Sequence, residues 1–434
     1  MNLKATSPLA EWLSYLENSH FKAIDLGLER IRAVAEKLDL LHPAPYVITV
    51  GGTNGKGTTC RLLETILLNH GLRVGVYSSP HLLRYNERVR IQDKDLPDEA
   101  HTASFAFIEE NKTVSLTYFE FSTLSALYLF KQSNLDVVIL EVGLGGRLDA
   151  TNIVDSNLAV ITGIDIDHTD FLGDTREAIA FEKAGIFRPN CPVVIGEPNV
   201  PHTMLEFAKN LGCNVSRRDV DWTFQQNSEN WQWKSTKVRL ENLPFCQIPL
   251  MNAATALAAI EQLPFNITEE TIHHSLQNVS LVGRFQSIEG DKYQKLASLL
   301  GKETDNLPTM IIDVGHNPQA AAYLAEKLTA LKAQNKGNLI AVCGMLKDKD
   351  AQGVFARLVP LVDKWHCATL SGYRGQTGKE LQAKLIELSP NTNVTSEDSV
   401  RSGVKNALKS AVKNDIVLIF GSFHTVAEFW QMLE

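Results

Sequence analysis

The chain has 434 residues, of which 44% are hydrophobic and 21% are charged, and its formal net charge is −8. A chain of this length exceeds what one hydrophobic core usually organises, so two domains are expected. The acidic balance argues against a nucleic-acid partner, and no apolar run approaches the roughly 18 residues of a membrane helix. Six scattered cysteines without C-x-x-C spacing and no visible signal peptide predict a cytoplasmic protein with reduced thiols.

The first two-thirds of the chain predict helices alternating with apolar strands. Helices are expected at 8–16, 28–38, 97–111, 120–132, 174–186 with Asp174 as N-cap, 252–263 and 268–279. Strands are expected at 47–50, 74–78, 136–142 and 158–164, and short antiparallel edge strands within 213–248. Strands that alternate with helices form right-handed βαβ units, so this region predicts a mostly parallel sheet.

A second, smaller α/β series follows a polar stretch of weak periodicity at 287–307. We expect this stretch to be a linker or insertion that could hold a short helix at 293–300. Strands are expected at 310–314, 339–343, 364–370 and 416–420, and helices at 317–333, 350–359, 377–388, 398–412 and 422–433. The predicted domains are therefore 1–286 and 308–434, joined by the 287–307 stretch.

A glycine-rich loop joins the first predicted strand to a predicted helix in the sequence YVITVGGTNGKGTT. Free N–H groups at a helix N-terminus bind anions, and Lys56 adds a positive charge, so the loop predicts a phosphate site. The strict phosphate-loop pattern fails because Gly57 follows Lys56 and the hydroxyl of Thr58 comes one residue later. A plain glycine turn is the alternative, which Lys56 and the flanking strand and helix disfavour. The candidate nucleotide-binding residues are Thr53, Asn54, Gly55, Lys56, Gly57 and Thr58.

Polar side chains follow three other predicted strands, at the sheet edge where α/β proteins bind ligands. They are Ser78 and Ser79, Glu141, and the residues of 165–170. Glu141 ends an apolar strand, as does the acidic residue that holds Mg²⁺ in phosphate-loop enzymes, although such a glutamate can also be a solvated rim residue. The segment 165–170, DIDHTD, groups three carboxylates with His168 and suits a cation, although a lone histidine is more often a core residue. Lys183 gives no local signal, and its position in a predicted helix suits a surface lysine equally well.

Seven motifs occur in an order that identifies a family. They are GTNGKGTT, SSPHLLRYNERVR, LEVGLGGRLDATN, DHTDFLG, EKAGIFR, GRFQ and DVGHNP. With them the chain resembles the bifunctional dihydrofolate synthase/folylpolyglutamate synthases, relatives of the Mur ligases, over nearly its whole length. The resemblance implies an α/β protein with an N-terminal P-loop (Mur-ligase-like) ATPase domain, built on a mostly parallel sheet. A smaller C-terminal Rossmann-like α/β domain would contribute to ATP and glutamate binding.

The resemblance also implies a reaction, in which ATP phosphorylates a carboxylate and the acyl phosphate is attacked by the amine of L-glutamate. The acceptors would be dihydropteroate and the tetrahydrofolates, and the second activity would build a polyglutamate tail. The cofactors would be ATP and Mg²⁺ at two sites, with Lys183 carbamylated by CO₂ to become a metal ligand. We expect a monomer.

The resemblance also implies functions for individual residues. The catalytic residues would be Lys56, His168 and Lys183, and the metal ligands Ser79, Glu141, His168 and Lys183, with the Thr58 hydroxyl close to the nucleotide magnesium. ATP would also meet Asn252, Arg284, Asp313 and His316. Pterin would meet Asp25, Gly27, Leu28, Phe119 and Asp149, and the incoming glutamate would meet Ser422.

Two departures and two alternatives accompany this resemblance. The family usually has proline where this chain has Val282, and the stretch between Phe285 and Ile311 looks longer than usual. A Mur-type cell-wall peptide ligase shares the ATP machinery but normally carries a further N-terminal domain, for which the segment before Tyr46 is too short. A non-catalytic P-loop nucleotide-binding protein would not need metal-ligand candidates from four segments.

Overall fold

The computed structural model describes residues 3–372 and 374–434, and the chain divides into two compact units, Met1–Ser280 and Leu281–Glu434. The division precedes the expected boundary at residue 286, and the 287–307 stretch belongs to the second unit. A helix, Gly290–Leu300, buries Leu296 and Ala297 there. The expected helix is therefore present and begins three residues earlier than predicted, and the periodicity of the stretch is weak because so few of its side chains are buried.

The first unit is built on a mainly parallel sheet. In the described part of the chain its strands are β1 Tyr46–Gly51, β2 Val74–Tyr77, β3 Val89–Ile91, β4 Lys94–Asp95, β5 Val137–Glu141, β6 Leu158–Ile161, β7 Pro192–Ile195 and β8 Asn214–Arg217. Their order is β4-β3-β2-β5-β1-β6-β7-β8. Only the β2–β3 and β3–β4 pairings among these are antiparallel, so the carboxyl ends of six strands share one edge of the sheet.

Helices cover both faces of this sheet. They are α1 Leu9–Glu17, α2 Glu29–Lys37, α3 Lys56–Asn69, α4 Asp98–Asn111, α5 Tyr118–Lys131, α6 Thr169–Leu172, α7 Arg176–Ala184, α8 His202–Asn210, α9 Leu250–Glu261 and α10 Glu269–Asn278. Successive residues of β5 point to opposite faces. Val137 and Ile139 pack in a core with α3 and α9, whereas Val138 and Leu140 pack in a core with α1, α2, α4 and α5.

The tryptophan-rich segment at 213–248 differs from its prediction. β8 joins the parallel sheet instead of an antiparallel edge. The strands β9 Trp222–Gln226, β10 Trp231–Ser235 and β11 Arg239–Leu243 form a separate antiparallel sheet. This small sheet packs on α9, where the indole N–H of Trp233 donates to the carbonyl of Ala254 at 3.1 Å.

Smaller features of the first unit also depart from expectation. Strands β3, β4 and β7 and helix α8 were not predicted, because they are short or mixed in polarity. The N-cap of α7 is Thr175, whose side chain accepts the N–H of Ala178, and the expected cap Asp174 lies one residue earlier.

The second unit has a sheet of its own. Its strands are β12 Gln286–Ser287, β13 Thr309–Asp313, β14 Leu339–Cys343, β15 Lys364–Ala368, β16 Val394–Glu397 and β17 Ile416–Phe420, in the order β12-β13-β17-β14-β15-β16. Its helices are α11 Gly290–Leu300, α12 Pro318–Asn335, α13 Ala351–Leu358, α14 Gly378–Leu388, α15 Val400–Ser410 and α16 Phe423–Gln431. All pairings except β12–β13 are parallel, which agrees with a Rossmann-like arrangement. Across the residues described in both units, none of the helices is long and apolar enough to cross a membrane.

Candidate active site

The glycine loop between β1 and α3 takes a shape that only glycine permits at two positions. Gly55, the N-cap of α3, has φ +86°, and a Cβ there would lie 2.4 Å from Oδ1 of Asn252. Gly52 has φ +144°, and a Cβ there would lie 2.0 Å from Oγ1 of Thr162. Because both positions combine a left-handed backbone with no room for a side chain, the loop amides keep their place at the helix N-terminus.

Lys56 folds back over this loop. Its ammonium donates to the carbonyl oxygens of Gly52 at 3.0 Å and Thr53 at 3.2 Å. The loop is anchored to the chain after β6, since Thr53 Oγ1 donates to the carbonyl of Asp165 at 3.0 Å. The positive charge is thus held above the N-terminus of α3, where both charge and dipole attract an anion.

The one-residue offset in the loop has a structural meaning. A Cβ on Gly57 would lie 3.6 Å from Oε1 of Glu141, so the position after Lys56 faces this carboxylate. Thr58 is buried instead, where its hydroxyl donates to the carbonyl of Gly55 at 2.9 Å and accepts from Asn252 Nδ2 at 2.8 Å. In this structure Asn252 therefore braces the loop through Thr58.

Lys183 lines the same cleft as Lys56, although it belongs to α7. Its side chain is buried, and burial together with repulsion from Lys56 lowers the pKa of its ammonium to about 7, against the weaker opposing pull of Asp167 and Asp149. A lysine with this pKa is largely unprotonated slightly above neutral pH, which makes it a nucleophile. The alternative of a solvent-exposed surface lysine is therefore excluded.

Two of the expected metal ligands, Glu141 and Ser79, contact each other. The carboxylate of Glu141 is buried at the end of β5, and the N–H of Ser79 donates to its Oε2 at 3.3 Å. Nearby, a small cleft is lined by Thr53, Lys56, Asp167, His168, Leu172 and Lys183. A buried carboxylate beside a phosphate-binding loop suits Mg²⁺, which takes one or two carboxylates together with phosphate and water oxygens.

The 165–170 segment does not form the compact cation cluster that its composition indicated. Within 3–372 and 374–434, no three His, Cys, Asp or Glu side chains gather as a metal site. His168 has φ +52°, begins α6 and has a side chain 37% exposed, with Nε2 3.9 Å from Oδ2 of Asp167. Instead, Asp165 and Asp167 each accept the N–H of the following residue at 2.9 Å.

Comparison with known proteins identifies the family to which this chain belongs. The Mur ligase middle domain model matches residues 50–260, and the Mur ligase glutamate ligase domain model matches residues 299–423. Dihydrofolate synthase/folylpolyglutamate synthase of Haemophilus influenzae is 77% identical over 100% of this chain and 99% of its own length. The protein of the same name from Escherichia coli is 50% identical over 99% of this chain and 97% of its own length. The chain belongs to the dihydrofolate synthase/folylpolyglutamate synthase family.

Solved structures of this family agree in fold. The structure of E. coli FolC in complex with DHPP and ADP has a TM-score of 0.92 at 50% identity, covering 99% of this chain and 98% of that one. A family structure with Mn, AMPPNP and L-glutamate bound has a TM-score of 0.89 at 50% identity, covering 100% of both chains. The predicted fold class and the predicted class of enzyme, a ligase of the Mur type, are confirmed. A non-catalytic nucleotide-binding protein is thereby excluded.

Among the residues expected to bind pterin, two meet the loop after β5. A Cβ on Gly143 would lie 2.6 Å from Cζ of Phe119, so the ring of Phe119 packs directly on the loop backbone. The buried carboxylate of Asp149 accepts the N–H groups of Gly143 and Leu144 at 3.0 and 2.8 Å and the hydroxyl of Thr151 at 2.7 Å. Burial raises the pKa of Asp149, and these hydrogen bonds oppose the increase. Asp149 thus shapes the loop that lines the cleft.

The other expected pterin residues lie together before α2. Asp25 meets Arg30 at 2.8 Å, and hydrogen bonds from Lys22 and His20 lower the pKa of its carboxyl group. Gly27 has φ +155°, and Leu28 is the N-cap of α2. Arg30 also meets Oε1 of Glu120 at 3.0 Å. Because Glu120 follows Phe119 in the chain, the early loop and the Phe119 region are tied to each other.

In the second unit, the expected ATP residues cluster around the end of β13. Asp313 is buried and accepts the N–H groups of Phe285 at 2.7 Å and Gly315 at 2.6 Å. Burial raises the pKa of Asp313, and the nearby Arg284 opposes this. Nδ1 of His316 lies 2.9 Å from the carbonyl oxygen of Val314.

Ser422, the expected glutamate contact, is the buried N-cap of α16. Its hydroxyl accepts the N–H of Thr425 at 3.0 Å and lies 2.8 Å from the Thr425 hydroxyl. The guanidinium of Arg284 lies 5.2 Å from the centroid of the Phe423 ring, next along the chain. The expected residues of the second unit are therefore near one another.

Sequence reasoning missed Leu172 and the glycines Gly143 and Gly145, which line the cleft. The apolar–glycine alternation after β5 was a usable signal, since glycines at strand ends often allow close approach of a ligand.

Proposed function

We propose that the chain is an ATP-dependent ligase that joins L-glutamate to dihydropteroate and to tetrahydrofolates, the second activity building a polyglutamate tail. The observation that carries this is the buried amine of Lys183, with a pKa of about 7, beside Lys56 of the glycine loop. Burying two ammonium groups close together costs free energy unless anionic groups bind beside them. ATP phosphates and a carboxylate substrate are such groups, and relatives that are named for this reaction share the whole chain length.

The reaction would proceed through an acyl phosphate. The γ-phosphoryl group of ATP moves to the substrate carboxylate, the glutamate amine attacks the acyl carbon, and phosphate leaves as the amide forms. Lys56 and the loop amides at the N-terminus of α3 would hold the β- and γ-phosphates. Phosphoryl transfer depends mainly on positioning and charge neutralisation, which these groups supply.

Lys183 would act after reaction with CO₂. Its neutral amine forms an N–C bond to CO₂ and releases one proton, giving a carbamate with one negative charge. Together with Ser79, Glu141 and His168 this group would hold Mg²⁺ at two sites, and the metal would neutralise phosphate charge. The family structure that contains Mn and AMPPNP supports a divalent cation beside a nucleotide. The inward position and lowered pKa of Lys183 support the carbamate.

The substrate subsites follow from the same grouping. Phe119, Asp149 and the early loop with Asp25, Gly27 and Leu28 would form the pterin pocket. Asn252 would meet the nucleotide beside Gly55. Arg284, Asp313 and His316 would contribute to ATP binding from the second unit, and Ser422 to the glutamate site. We also expect a cytoplasmic monomer.

A coupled assay of ADP release tests the proposal. We expect glutamate-dependent ADP release with dihydropteroate and, separately, with tetrahydrofolate. ADP release with only one of these acceptors would show that the chain has a single activity. ADP release with a nucleotide-sugar peptide would favour the alternative of a Mur-type cell-wall peptide ligase. If no pteroate or folate supports glutamate-dependent release, the proposal is wrong.

A further inference from the structure

A buried ion pair joins the helix of the glycine loop to the segment that carries Ser79. Glu64 lies on α3 and is fully buried. It accepts from Nη2 of Arg90 at 2.8 Å and from Nε at 3.2 Å, and Arg61 meets it at 3.0 Å. Two nitrogens of one guanidinium thus donate to one carboxylate, and this restricts the orientation of both side chains more than a single hydrogen bond would.

The same guanidinium reaches the end of β2. Nη1 of Arg90 donates to the hydroxyl of Ser78 at 3.2 Å and to the carbonyl of Glu87 at 3.3 Å. Arg90 lies on β3 opposite Val76 of β2, so its side chain lies beside the strand that ends at Tyr77, one residue before Ser78. Arg90 therefore connects α3 directly to the residue before Ser79.

Glu87 holds the other side of this segment. Its carboxylate accepts the N–H groups of Leu82 at 2.6 Å, Leu83 at 2.7 Å and Arg84 at 2.8 Å. The chain from 78 to 84 is thereby tied at both ends, and Ser79 between them meets the Glu141 carboxylate. The position of Ser79 relative to the glycine loop depends on these contacts.

We propose that the Glu64–Arg90 ion pair is a positioning element that sets the affinity of the Ser79–Glu141 site for a divalent cation. The inference rests on the proposed role of Ser79 and Glu141 in metal binding. Groups that orient metal ligands typically contribute a factor of about 10 to 100 in metal affinity. A buried ion pair contributes little stability compared with apolar packing, so a positioning role explains why a charge is buried here.

Arg90→Lys and Glu64→Gln test the proposal. Lysine keeps the charge but cannot hold Glu64 with two nitrogens and reach Ser78 as well, and glutamine keeps the shape but loses the charge. The measurement is Mn²⁺ binding by the full chain without ATP or folate, read from the electron paramagnetic resonance signal of the free ion. We expect both variants to bind Mn²⁺ about 10- to 100-fold more weakly than the original chain.

Arg73→Lys is the matched control. Arg73 precedes the start of β2 and grips Asp136 with two nitrogens, Nε at 3.0 Å and Nη2 at 2.6 Å, but it is half exposed. Arg73 undergoes the same change at the amino end of β2, whereas the contacts of Arg90 with Ser78 lie at its carboxyl end. We expect its Mn²⁺ affinity to stay unchanged, while Ser79→Ala weakens Mn²⁺ binding as Arg90→Lys does.

Steady-state kinetics adds a second readout. In the Arg90→Lys variant the Mg²⁺ concentration for half-maximal rate should rise at least 10-fold, with most of kcat recovered at saturating Mg²⁺. Variants that are folded by circular dichroism yet bind Mn²⁺ as tightly as the original chain would overturn the inference, as would an original chain that binds no Mn²⁺. Absence of glutamate-dependent ADP release in the original chain rejects the proposed reaction alone, since the Mn²⁺ comparison does not use turnover.

Discussion

The two edges of the sheet in the first unit differ in how their charges are neutralised. At the carboxyl edge, the positive charge of Lys56 lies close enough to lower the pKa of the buried Lys183. At the amino edge, the guanidinium of Arg188 donates to the Asn152 carbonyl and side-chain oxygens, both at 2.9 Å, and pairs with Asp155. The charge of Arg188 is thus paired with a carboxylate, whereas the ammonium of Lys56 is held by neutral carbonyl oxygens, so the carboxyl edge favours an anion.

Cavity size alone would have indicated the opposite edge. The cavity beside Arg188, Val47 and Asn157 measures about 410 Å³, compared with about 30 Å³ for the cleft beside Lys56. In the larger one, the N–H of Val47 already donates to Oδ1 of Asn157 at 2.7 Å. The expected site residues therefore lie at the edge that has the smaller cavity and the two neighbouring lysines, Lys56 and Lys183.

Lys183→Met is expected to have the largest effect, because it removes the buried amine beside Lys56. We expect turnover to fall about 1000-fold, the upper range for removing one electrostatic group from an active site. Glutamate-dependent ADP release measures it, with circular dichroism to show that the variant is folded. Turnover close to that of the original chain in saturating Mg²⁺ would contradict the role given to Lys183.

The same substitution should change stability in a pH-dependent way. With a folded pKa of about 7 against 10.5, the unfolded chain binds more protons between these values, so the stability of the original chain rises with pH across that window. A tenfold difference in proton affinity between the folded and unfolded chain corresponds to about 1.4 kcal/mol. We expect Lys183→Met to be more stable by a few kcal/mol at pH 6, and the difference to close by pH 10.5. Urea unfolding in CO₂-free buffer without Mg²⁺ measures this, and a pH-independent difference would contradict it.

Gly55→Ala tests whether the loop shape matters beyond general strain. The added Cβ would strike Asn252, and we expect ADP to bind about 100-fold more weakly, because small misplacements cost this much. Gly71→Ala is the control, since Gly71 also has a positive φ, +93°, but nothing lies within 4 Å of the added Cβ. Calorimetric titration with ADP separates the two, and equal losses in both variants would refute the loop argument.

Arg188→Met addresses the amino edge. Loss of its donors leaves the carbonyls of Asn152 and Val154 without these partners, and we expect unfolding free energy to fall by about 2 kcal/mol. ADP release should stay within about threefold of the original rate. A large loss of turnover with unchanged stability would erase the distinction between the two edges.

Arg73→Ala should have the smallest effect. Its ion pair with Asp136 also lies at the amino edge, but Arg73 is 46% exposed. Exposed pairs contribute between 0 and about 1 kcal/mol, so we expect a loss below about 1 kcal/mol that shrinks further in 1 M salt. A loss above about 2 kcal/mol in urea unfolding would show that the pair is not a solvent-screened surface contact.

Sequence reasoning succeeded where local pattern carries the information. The apolar runs at β1, β5, β14 and β17 predicted buried parallel strands, and the glycine loop predicted its own strand–turn–helix frame. It failed at β16, whose residues Val394–Glu397 are mostly polar. Local pattern could not predict that Lys183 is buried near Lys56, because this arises from tertiary packing of α7 against a loop more than 120 residues earlier. Only the family resemblance assigned both lysines to one site.

The Glu64–Arg90 pair was missed for a related reason. The alternation of Arg88 and Arg90 with Val89 and Ile91 indicates a short strand with one charged face. The partner of Arg90 lies on α3, and only the fold brings the helix and this strand together. Side-chain direction is predictable from the alternation, whereas the identity of the buried partner is not.

The small tryptophan sheet gives the first unit an optical property. Trp222 and Trp233 stack with ring centroids 6.3 Å apart, and Trp233 is hydrogen bonded to α9 two residues beyond Asn252. Asn252 in turn holds Thr58 of the glycine loop. Any ligand that shifts Asn252 would alter the surroundings of these indoles, so ultraviolet fluorescence offers a label-free signal of what the loop binds.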